Sequence, residues 1–470
     1  MSIFKEEFLL HSGLANDLFL QVRDLPIIDY HSHLSAKVLA VNAPFENLTK
    51  LWIEGDHYKW RAMRLNGVPE HLCSGKADDY DKYLAWAKTA PFTVRNPLFH
   101  WSHLELFRYF DVNEELTLGS ARSIWEQANA LLKTSAFTPR ALLTRSHVQV
   151  LCTTDDPTDS LEHHEMLNSD PSFGPSVFPT FRPDGALLLN GVNSFSNWLD
   201  RLRAVVNAPI TKMDELLEAL HSRHRAFHAA GCRLSDHGLE SIDAVPCSQG
   251  EADGLFRRVL AGHTLDNIEL TQWRSFLMRR FAEWDRDSGW VMLLHLGAAR
   301  NCNTRIFSQL GLDSGCDSIG DFSQGPGLNR FLNSLDQGGR LPKVILFNSN
   351  PSDNMIFATI AGNFFEDDVP GKVQYGPAWW FLDTHHGIKD QLNALSAVGL
   401  AHRFVGMVTD SRSYLSLVRH EYFRRVLCNV FAEDALAGLL PLDSNRLNET
   451  LSAMCYSNAS IYFDWKKKSC

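Results

Sequence analysis

The chain has 470 residues, of which 44% are hydrophobic and 21% are charged, the balance of a soluble globular protein. Its formal net charge of −10 excludes the basic surface that nucleic acids and anionic membranes require, although a few converging arginines still allow a small anionic substrate. No apolar run reaches the roughly 18 residues that span a bilayer, and the first 20 residues show no signal pattern. Nine cysteines, odd in number and without a Cys-x-x-Cys pair, predict a reducing cytoplasm and no disulfide framework.

The first predicted strand follows a helical segment over residues 1–24 and lies within residues 25–34. A proline and a β-branched apolar run open it, and a His-x-His pair ends it. Because side chains alternate along a strand, His31 and His33 point the same way, with Cα atoms roughly 6–7 Å apart. Two imidazoles at this spacing can bind one metal ion. We therefore expect the strand to present two metal ligands at its carboxyl end.

Residues 35–145 lack a convincing buried strand and instead show helical spacing of apolar residues, clearest over 80–89, 103–110 and 120–133. The sequence therefore predicts three parts. These are residues 1–34 with the first strand, a mostly helical insertion over 35–145, and the remainder over 146–470. Within the insertion, residues 54–64 are rich in groups that donate protons or hydrogen bonds, among them His57 and Tyr58.

Seven further apolar runs follow, each ending in polar residues and separated by segments long enough for a helix: 148–154, 177–181, 232–234, 290–294, 343–347, 373–375 and 403–408. Eight buried strands alternating with helices predict an α/β protein with a (β/α)8 TIM barrel, whose chemistry collects at the carboxyl-terminal mouth. A doubly wound open sheet is the alternative fold, but no Gly-x-Gly-x-x-Gly turn follows any run. A last helix is predicted over 414–431, and Lys466–Lys468 is expected to be a solvated terminus.

Polar side chains at the strand ends would meet at one mouth of such a barrel. Two histidines and one carboxylate leave open positions on a divalent ion, as a catalytic site requires, so His31, His33 and Asp410 are the predicted metal ligands. For Asp155 and Asp236, capping of the following helix is an open alternative. Three histidines at helical spacing are expected on an exposed helix face: His221, His224 and His228. The full strand-end set is His31, His33, Asp155, Asp156, Arg182, Asp236, His237, His295, Asp410 and Arg412.

Six blocks of the sequence resemble uronate (glucuronate) isomerase of the amidohydrolase superfamily. They are residues 28–34, 55–64, 154–157, 295–298, 371–380 and 404–412. The resemblance covers essentially the whole chain. The blocks Asp-His-Tyr-Lys-Trp-Arg-Ala-Met-Arg and Thr-Asp-Ser-Arg are specific to the isomerases, whereas His-x-His is shared with hydrolases of the superfamily.

The resemblance implies a distorted (β/α)8 barrel with one divalent metal ion, usually zinc. It also implies a small-molecule hexuronate substrate, with reversible conversion of D-glucuronate to D-fructuronate and of D-galacturonate to D-tagaturonate. By analogy, a homo-oligomer is expected. Carried onto this sequence, the metal ligands fall on His31, His33 and Asp410. The active-site residues fall on His57, Tyr58, Arg182, Asp236, His295, Trp379 and Arg412.

The isomerisation requires removal of the C2 proton, stabilisation of an enediolate and return of a proton to C1. A metal ion can stabilise the charge, and a nearby carboxylate is a suitable base. Our hypothesis is that Asp410 moves the proton while Tyr58 and Arg412 hydrogen-bond the enediolate oxygens. Arg182 and His57 would hold the substrate carboxylate, since a planar guanidinium fits a carboxylate well.

The residues alone leave two other functions open. A metal-dependent amidohydrolase acting on a small acidic substrate would use bound water as the nucleophile. However, no strand end offers a lysine for a carbamate, and the sixth strand ends in Asn348-Ser349-Asn350 where a hydrolase would commonly supply a histidine. A non-catalytic sugar-acid binding protein would have no need for the three metal ligands.

Overall fold

Parallel strands carry the site in this protein. The structure, a computed structural model, describes residues 5–189 and 192–465, so Lys466–Lys468 lies outside it. Within that part of the chain the strands are β1 Ile27–Asp29, β2 Val148–Cys152, β3 Ser176–Phe178, β4 Leu234–Leu239, β5 Val291–Leu296, β6 Ala298–Ala299, β7 Ser318–Ile319, β8 Lys343–Asn348 and β9 Val373–Tyr375. One parallel sheet has the order β1-β2-β3 and another the order β4-β5-β8-β9, while β6 and β7 form an antiparallel hairpin.

The two parallel sheets are joined at the carboxyl end of β3. Phe181 forms parallel bridges to Asp155 after β2 and to Ser235 in β4. The central strands β5 and β8 are buried along almost their whole length, because helices cover parallel sheets on their faces. The fourth predicted strand was placed too early, at 232–234, since β4 runs from Leu234 to Leu239 and carries Asp236 within the strand.

The eighth predicted strand, residues 403–408, is not a strand. Residues Ala401–Arg403 form a 3-10 turn, and the chain then passes beside β1 without a regular ladder. Gly406 and Asp410 have φ values of +93° and +48°, which a regular strand does not accommodate. Two backbone hydrogen bonds hold the segment, from the Asp410 N–H to the His31 carbonyl at 3.1 Å and from the His33 N–H to the Ser411 carbonyl at 2.9 Å.

Helices fill the rest of the described chain. Up to β2 they are α1 Gly13–Val22, α2 Ala36–Val41, α3 Leu48–Trp52, α4 His57–Leu65, α5 Glu70–Cys73, α6 Asp79–Thr89, α7 Pro97–Phe110, α8 Ala121–Leu132 and α9 Pro139–Arg145. After β2 they are α10 Glu162–Ser169, α11 Asp184–Leu187, α12 Val192–Val206, α13 Met213–Ala229, α14 Gln249–Leu260, α15 Asn267–Ser288, α16 Thr304–Leu310, α17 Gly325–Gln337, α18 Asn354–Ala361, α19 His385–Val398, α20 Val418–Leu436, α21 Ser444–Ser452 and α22 Asn458–Tyr462. None of these helices combines the length and apolarity that a bilayer crossing requires.

One buried apolar cluster gathers side chains from the strands of both parallel sheets. Its members come from β1 to β5, from β8 and from the segment beside β1, and they include Ile28, Val150, Phe178, Leu234, Leu293, Ile345, Phe347, Val405 and Val408. The carboxyl-terminal residues Phe463 and Trp465 also belong to it, and Trp465 stacks on Phe178 with ring centroids 6.0 Å apart. Side chains from segments far apart in the sequence therefore share one interior.

Asp29 fastens the irregular segment to β1. Its fully buried carboxylate accepts two hydrogen bonds from Thr409, one from the backbone N–H at 3.0 Å and one from the hydroxyl at 2.5 Å. Thr409 directly precedes Asp410, so these bonds fix where the Asp410 side chain starts.

We expect Asp29→Ala to lower the free energy of unfolding by about 2–4 kcal/mol, because both Thr409 donors lose a buried charged acceptor. Urea denaturation followed by circular dichroism measures the loss. Asp24→Ala is the matched control, because the Asp24 side chain is 63% exposed and its ion pair with Arg23 should contribute at most about 1 kcal/mol. Equal losses in the two variants would contradict a fastening role for Asp29.

Candidate active site

His31, His33 and Asp410 come together at the carboxyl end of β1. The Asp410 Oδ1 atom lies 3.1 Å from His31 Nε2 and 3.0 Å from His33 Nε2. One ligand atom from each of the three residues falls within 4.8 Å of the other two. Two imidazole nitrogens and a carboxylate oxygen at this spacing fit a divalent ion and leave coordination positions for a substrate. The three residues therefore form a candidate metal site.

The pKa shifts of Asp410 and His33 suit a cation, whereas at His31 burial lowers the pKa but Asp236 and Asp410 raise it above its ordinary value. Burial would raise the pKa of the Asp410 carboxyl, but hydrogen bonds from His31 and His33 hold it well below its usual range. Burial lowers the pKa of His33. The other carboxylate oxygen of Asp410, Oδ2, accepts a hydrogen bond from the Trp379 indole at 2.9 Å. Asp410 is therefore ionised, with one oxygen turned to the imidazoles and the other oriented by Trp379.

A second cluster of possible ligands, formed by His31, Asp236 and His295, lies beneath the first. His295 Nδ1 is 2.7 Å from Asp236 Oδ1, and His31 Nδ1 is 3.7 Å from Asp236 Oδ2. Arg182 donates to the same Oδ2 at 2.9 Å. Burial would raise the pKa of Asp236, but Arg182 and His295 hold it well below its ordinary value. The Arg182 guanidinium already supplies the positive charge here, which opposes a second metal ion.

Asp236 thus connects three residues of the site from below. It lies in the middle of β4, so the helix-capping alternative is wrong for this residue. Its side chain is fully buried, its two oxygens fix the orientations of Arg182 and His295 by hydrogen bonds, and its negative charge faces His31 Nδ1 at 3.7 Å. Asp155 does not cap a helix either, because its Oδ2 accepts from the Thr153 hydroxyl.

A cavity of about 590 Å³ opens above the metal site. Most of the predicted site residues line it: His31, His33, His57, Arg182, His295, Trp379, Asp410 and Arg412. Two do not. Asp236 is buried beneath the cavity floor, and Tyr58 lines an adjacent chamber of about 30 Å³ that also contacts Asp410 and Arg412.

The first turn of α4 positions His57 and Tyr58. Asp56 caps this helix and accepts hydrogen bonds from the backbone N–H groups of Tyr58 and Lys59, each at 3.0 Å. His57 Nδ1 lies 2.9 Å from an Arg412 guanidinium nitrogen. Because arginine stays protonated, Nδ1 is the acceptor and the neutral ring carries its proton on Nε2. Burial and the Arg412 charge lower the pKa of His57, which keeps the ring neutral.

The segment between β5 and α17 supplies residues that were not predicted as site residues from the sequence. Arg300 and Asp313 both line the cavity. Arg300 lies over the Trp380 ring at 4.8 Å, and Asp313 accepts from Arg412 at 3.0 Å. Arg300 had a sequence signal, because it follows His295 by five residues, whereas Asp313 sits in a loop whose path the local sequence does not reveal.

The expectation of an exposed histidine face on α13 is wrong, because His221 and His228 are half-buried and His224 is fully buried. His224 is buried and lies 3.0 Å from the buried carboxylate of Asp285, which also accepts from the Ser235 hydroxyl at 2.5 Å. His224, Asp285 and Ser235 thus form a buried hydrogen-bonded cluster outside the cavity, between α13, α15 and β4. The cluster connects these three elements and is not a part of the site.

The fold and the ligand cluster together define an α/β protein with a candidate metal centre at the carboxyl ends of its parallel strands. A solved structure described as a putative metal-dependent hydrolase from Lactobacillus casei shares the fold, with a TM-score of 0.52 and 12% identity over 95% of this chain and 97% of that one.

Closer relatives identify the family. The family model for glucuronate isomerase matches residues 1–463. The uronate isomerase of Cellvibrio japonicus is 44% identical over 465 residues, which cover 98% of this chain and 99% of that protein. The crystal structure of uronate isomerase from Thermotoga maritima has a TM-score of 0.93 and 34% identity, and covers 98% of this chain and 100% of that one. The chain belongs to the glucuronate isomerase family and is an aldose–ketose isomerase of uronates.

Replacement of a ligand tests the metal site directly. We expect His33→Ala to reduce bound divalent metal from about one ion per chain to less than about a tenth, because two protein ligands hold such an ion poorly. Elemental analysis of the purified protein measures it. The control is His221→Ala on α13, which should keep the full metal content. Full occupancy in His33→Ala would remove this residue from the site.

Proposed function

We propose that the protein interconverts D-glucuronate with D-fructuronate, and D-galacturonate with D-tagaturonate, at one divalent metal ion, which we take to be zinc. The observation that carries the proposal is the convergence of His31, His33 and Asp410 beneath a cavity lined by arginines. Two imidazole nitrogens and a carboxylate oxygen are ligands that catalytic zinc commonly takes. The ion would supply positive charge against the negative charge that develops on the substrate oxygens.

Arg182 and His57 are suited to bind the substrate carboxylate. Arg182 donates to Asp236 and, through Nε, to Asp184 at 2.8 Å, so its guanidinium plane is fixed before substrate arrives. Both residues reach the cavity, and the remaining guanidinium N–H groups and the His57 Nε2–H are donors available to an anion. Prior fixation reduces the side-chain entropy that is lost on binding.

Asp410 is proposed to carry the proton between C2 and C1. Its ionised carboxylate takes the C2 proton, the C2–H electron pair forms the C1–C2 double bond, and the carbonyl electrons move onto O1. Tyr58 and Arg412 donate hydrogen bonds to O1 and O2 while this negative charge is present. The same carboxyl then returns its proton to C1, and O2 becomes the carbonyl oxygen as its proton passes to O1. Oδ2, oriented by Trp379, is the oxygen placed for this exchange.

We also propose that the parallel strands form a closed, distorted (β/α)8 barrel. The shared apolar interior and the contacts between β1 and the segment before Asp410 support closure. Residues 1–34 and 146–470 would build the barrel, and residues 35–145 would be a helical insertion. A cytoplasmic setting agrees with the free cysteines found in the described residues. A homo-oligomer is proposed by analogy alone.

We expect Asp410→Asn to lower kcat by at least about 10²–10⁴, because the amide cannot accept the C2 proton. The rate of aldose–ketose interconversion of glucuronate is followed spectroscopically and normalised to measured bound metal, which separates proton transfer from loss of a ligand. Asp156→Asn is the control, because Asp156 is another carboxylate that lines the cavity. This substitution should change kcat less than about fivefold, since it weakens at most one contact outside the proposed proton transfer. Near-normal turnover in Asp410→Asn would exclude the residue as the base.

Metal removal and a substrate panel test the reaction type. A chelator should abolish uronate isomerisation, and added zinc should restore it. Lactones and amides should not be hydrolysed, because Asn348 is engaged with the Asn350 carbonyl at 2.7 Å and with Asn354 at 2.8 Å rather than offered as a ligand. Isomerisation that survives complete metal removal, or turnover of a lactone at a rate comparable to a uronate, would contradict the proposal.

A further inference from the structure

A buried ion pair lies behind the predicted active-site tyrosine. Asp383 follows the 3-10 turn Trp380–Leu382, and Arg419 is the second residue of α20. Arg419 donates a hydrogen bond to Asp383, and each side chain is only 4% exposed. Replacing a buried ion pair by apolar groups is often neutral for stability, so stability alone does not account for this pair.

Trp101 brings Arg419 and Tyr58 to the same place. The Arg419 guanidinium carbon lies 4.4 Å above the Trp101 ring, and the Tyr58 ring meets Trp101 edge-on with centroids 6.1 Å apart. Arg419, Tyr58 and Asp410 all line the chamber of about 30 Å³ next to the cavity. The indole therefore fixes the relative positions of the guanidinium and the phenol ring.

Four buried polar atoms on residues that line this chamber have no hydrogen-bond partner among the described residues: the Tyr58 hydroxyl, the Arg419 Nε, the His57 Nε2 and the Trp101 Nε1. Two of them, the Tyr58 hydroxyl and the Arg419 Nε, lie on the tyrosine and on the ion pair. Since neither atom has a partner, the two groups do not hydrogen-bond to each other directly, but the chamber is large enough for one water molecule that can bridge them. The hydroxyl accepts in that contact, which leaves its own O–H to donate to another group.

The charges in the chamber affect Tyr58 in opposite directions. Burial raises the pKa of Tyr58 well above its ordinary value, Asp410 and Asp383 raise it further, and Arg419 lowers it. Burial would lower the pKa of Arg419, but Asp383 and Tyr58 raise it, so the guanidinium remains charged. Arg419 is the group that favours negative charge on the Tyr58 oxygen.

We propose that Arg419, held by Asp383 and Trp101, is a positioning residue for the isomerisation. It orients the Tyr58 hydroxyl so that its O–H points to the substrate oxygens, and it stabilises the partial negative charge on the Tyr58 oxygen as that hydrogen bond strengthens. The inference rests on the proposed function, in which Tyr58 donates to an enediolate oxygen. Arg419 itself does not line the substrate cavity.

The first test compares kcat and KM in variants that avoid an unpaired buried charge. The double variant Asp383→Asn with Arg419→Met removes both charges together. We expect kcat to fall about 10-fold to 100-fold, because a misdirected hydrogen bond weakens the transition state, while KM changes less than about threefold. Arg419→Lys keeps the charge and should recover part of kcat. Arg108→Met, at the Arg108–Glu421 pair against another part of α20, is the matched control and should leave kcat unchanged.

The second test is a double-mutant cycle with Tyr58→Phe, all variants being checked by circular dichroism and for bound metal. If Arg419 acts through Tyr58, adding the charge-free pair to Tyr58→Phe should change kcat by less than about twofold. The same 10-fold to 100-fold fall in both backgrounds would overturn the inference and leave the proposed function intact. A Tyr58→Phe enzyme with normal kcat would instead refute the proposed function of Tyr58, and the inference with it. A charge-free pair with normal kcat in the parent would overturn the inference alone.

Discussion

The contact between Asp410 and the two histidines that follow β1, His31 and His33, is the constraint on which the site depends. It joins residues 379 positions apart, and it exists only because the segment before Asp410 lies along β1. Regular strand pairing does not hold that segment, since Gly406 and Asp410 both have positive φ. Asp29 and two backbone hydrogen bonds hold it instead. The irregular backbone turns the Asp410 carboxylate toward the imidazoles. In a regular strand, side chains would instead alternate between the two faces of the sheet.

A layer of buried charges supports this contact from below and from behind. Asp236 orients Arg182 and His295, while Asp383 holds Arg419 against Trp101. Each carboxylate is paired with a guanidinium, so neither charge is buried alone. Arg182 and His295 therefore have their orientations fixed in part by Asp236, a neighbour that does not line the cavity. Such fixed donors act on developing charge without reorganising during the reaction.

The parts of this arrangement that follow local patterns could be predicted from the sequence. Strand alternation indicated that His31 and His33 share a side, and apolar runs located most of the parallel strands, although β4 begins two residues later than predicted. The active-site role of Tyr58 was predicted only from the family resemblance, because the local sequence does not indicate where the helical insertion packs against the strands. The failure at 403–408 has a physical cause, since an apolar run does not reveal the positive φ at Gly406 within it or at Asp410 just after it. The Asp313 contact to Arg412 likewise depends on the path of a loop.

The placement of Arg182 bears on the kind of chemistry that the site can perform. Asp236, His31 and His295 are close enough to hold a second cation, yet a guanidinium nitrogen lies 2.9 Å from the Asp236 carboxylate. A metal ion there would have to displace a charge that Asp236 already neutralises, at a large electrostatic cost in a buried site. The same guanidinium has N–H donors left for a substrate carboxylate. It presents them in a planar fork that matches a carboxylate, a geometry that a metal ion does not offer. Arg182 therefore favours a site with one metal ion that recognises an acid over a site in which two metal ions activate water. Binding of a free uronate calls for the first kind of site.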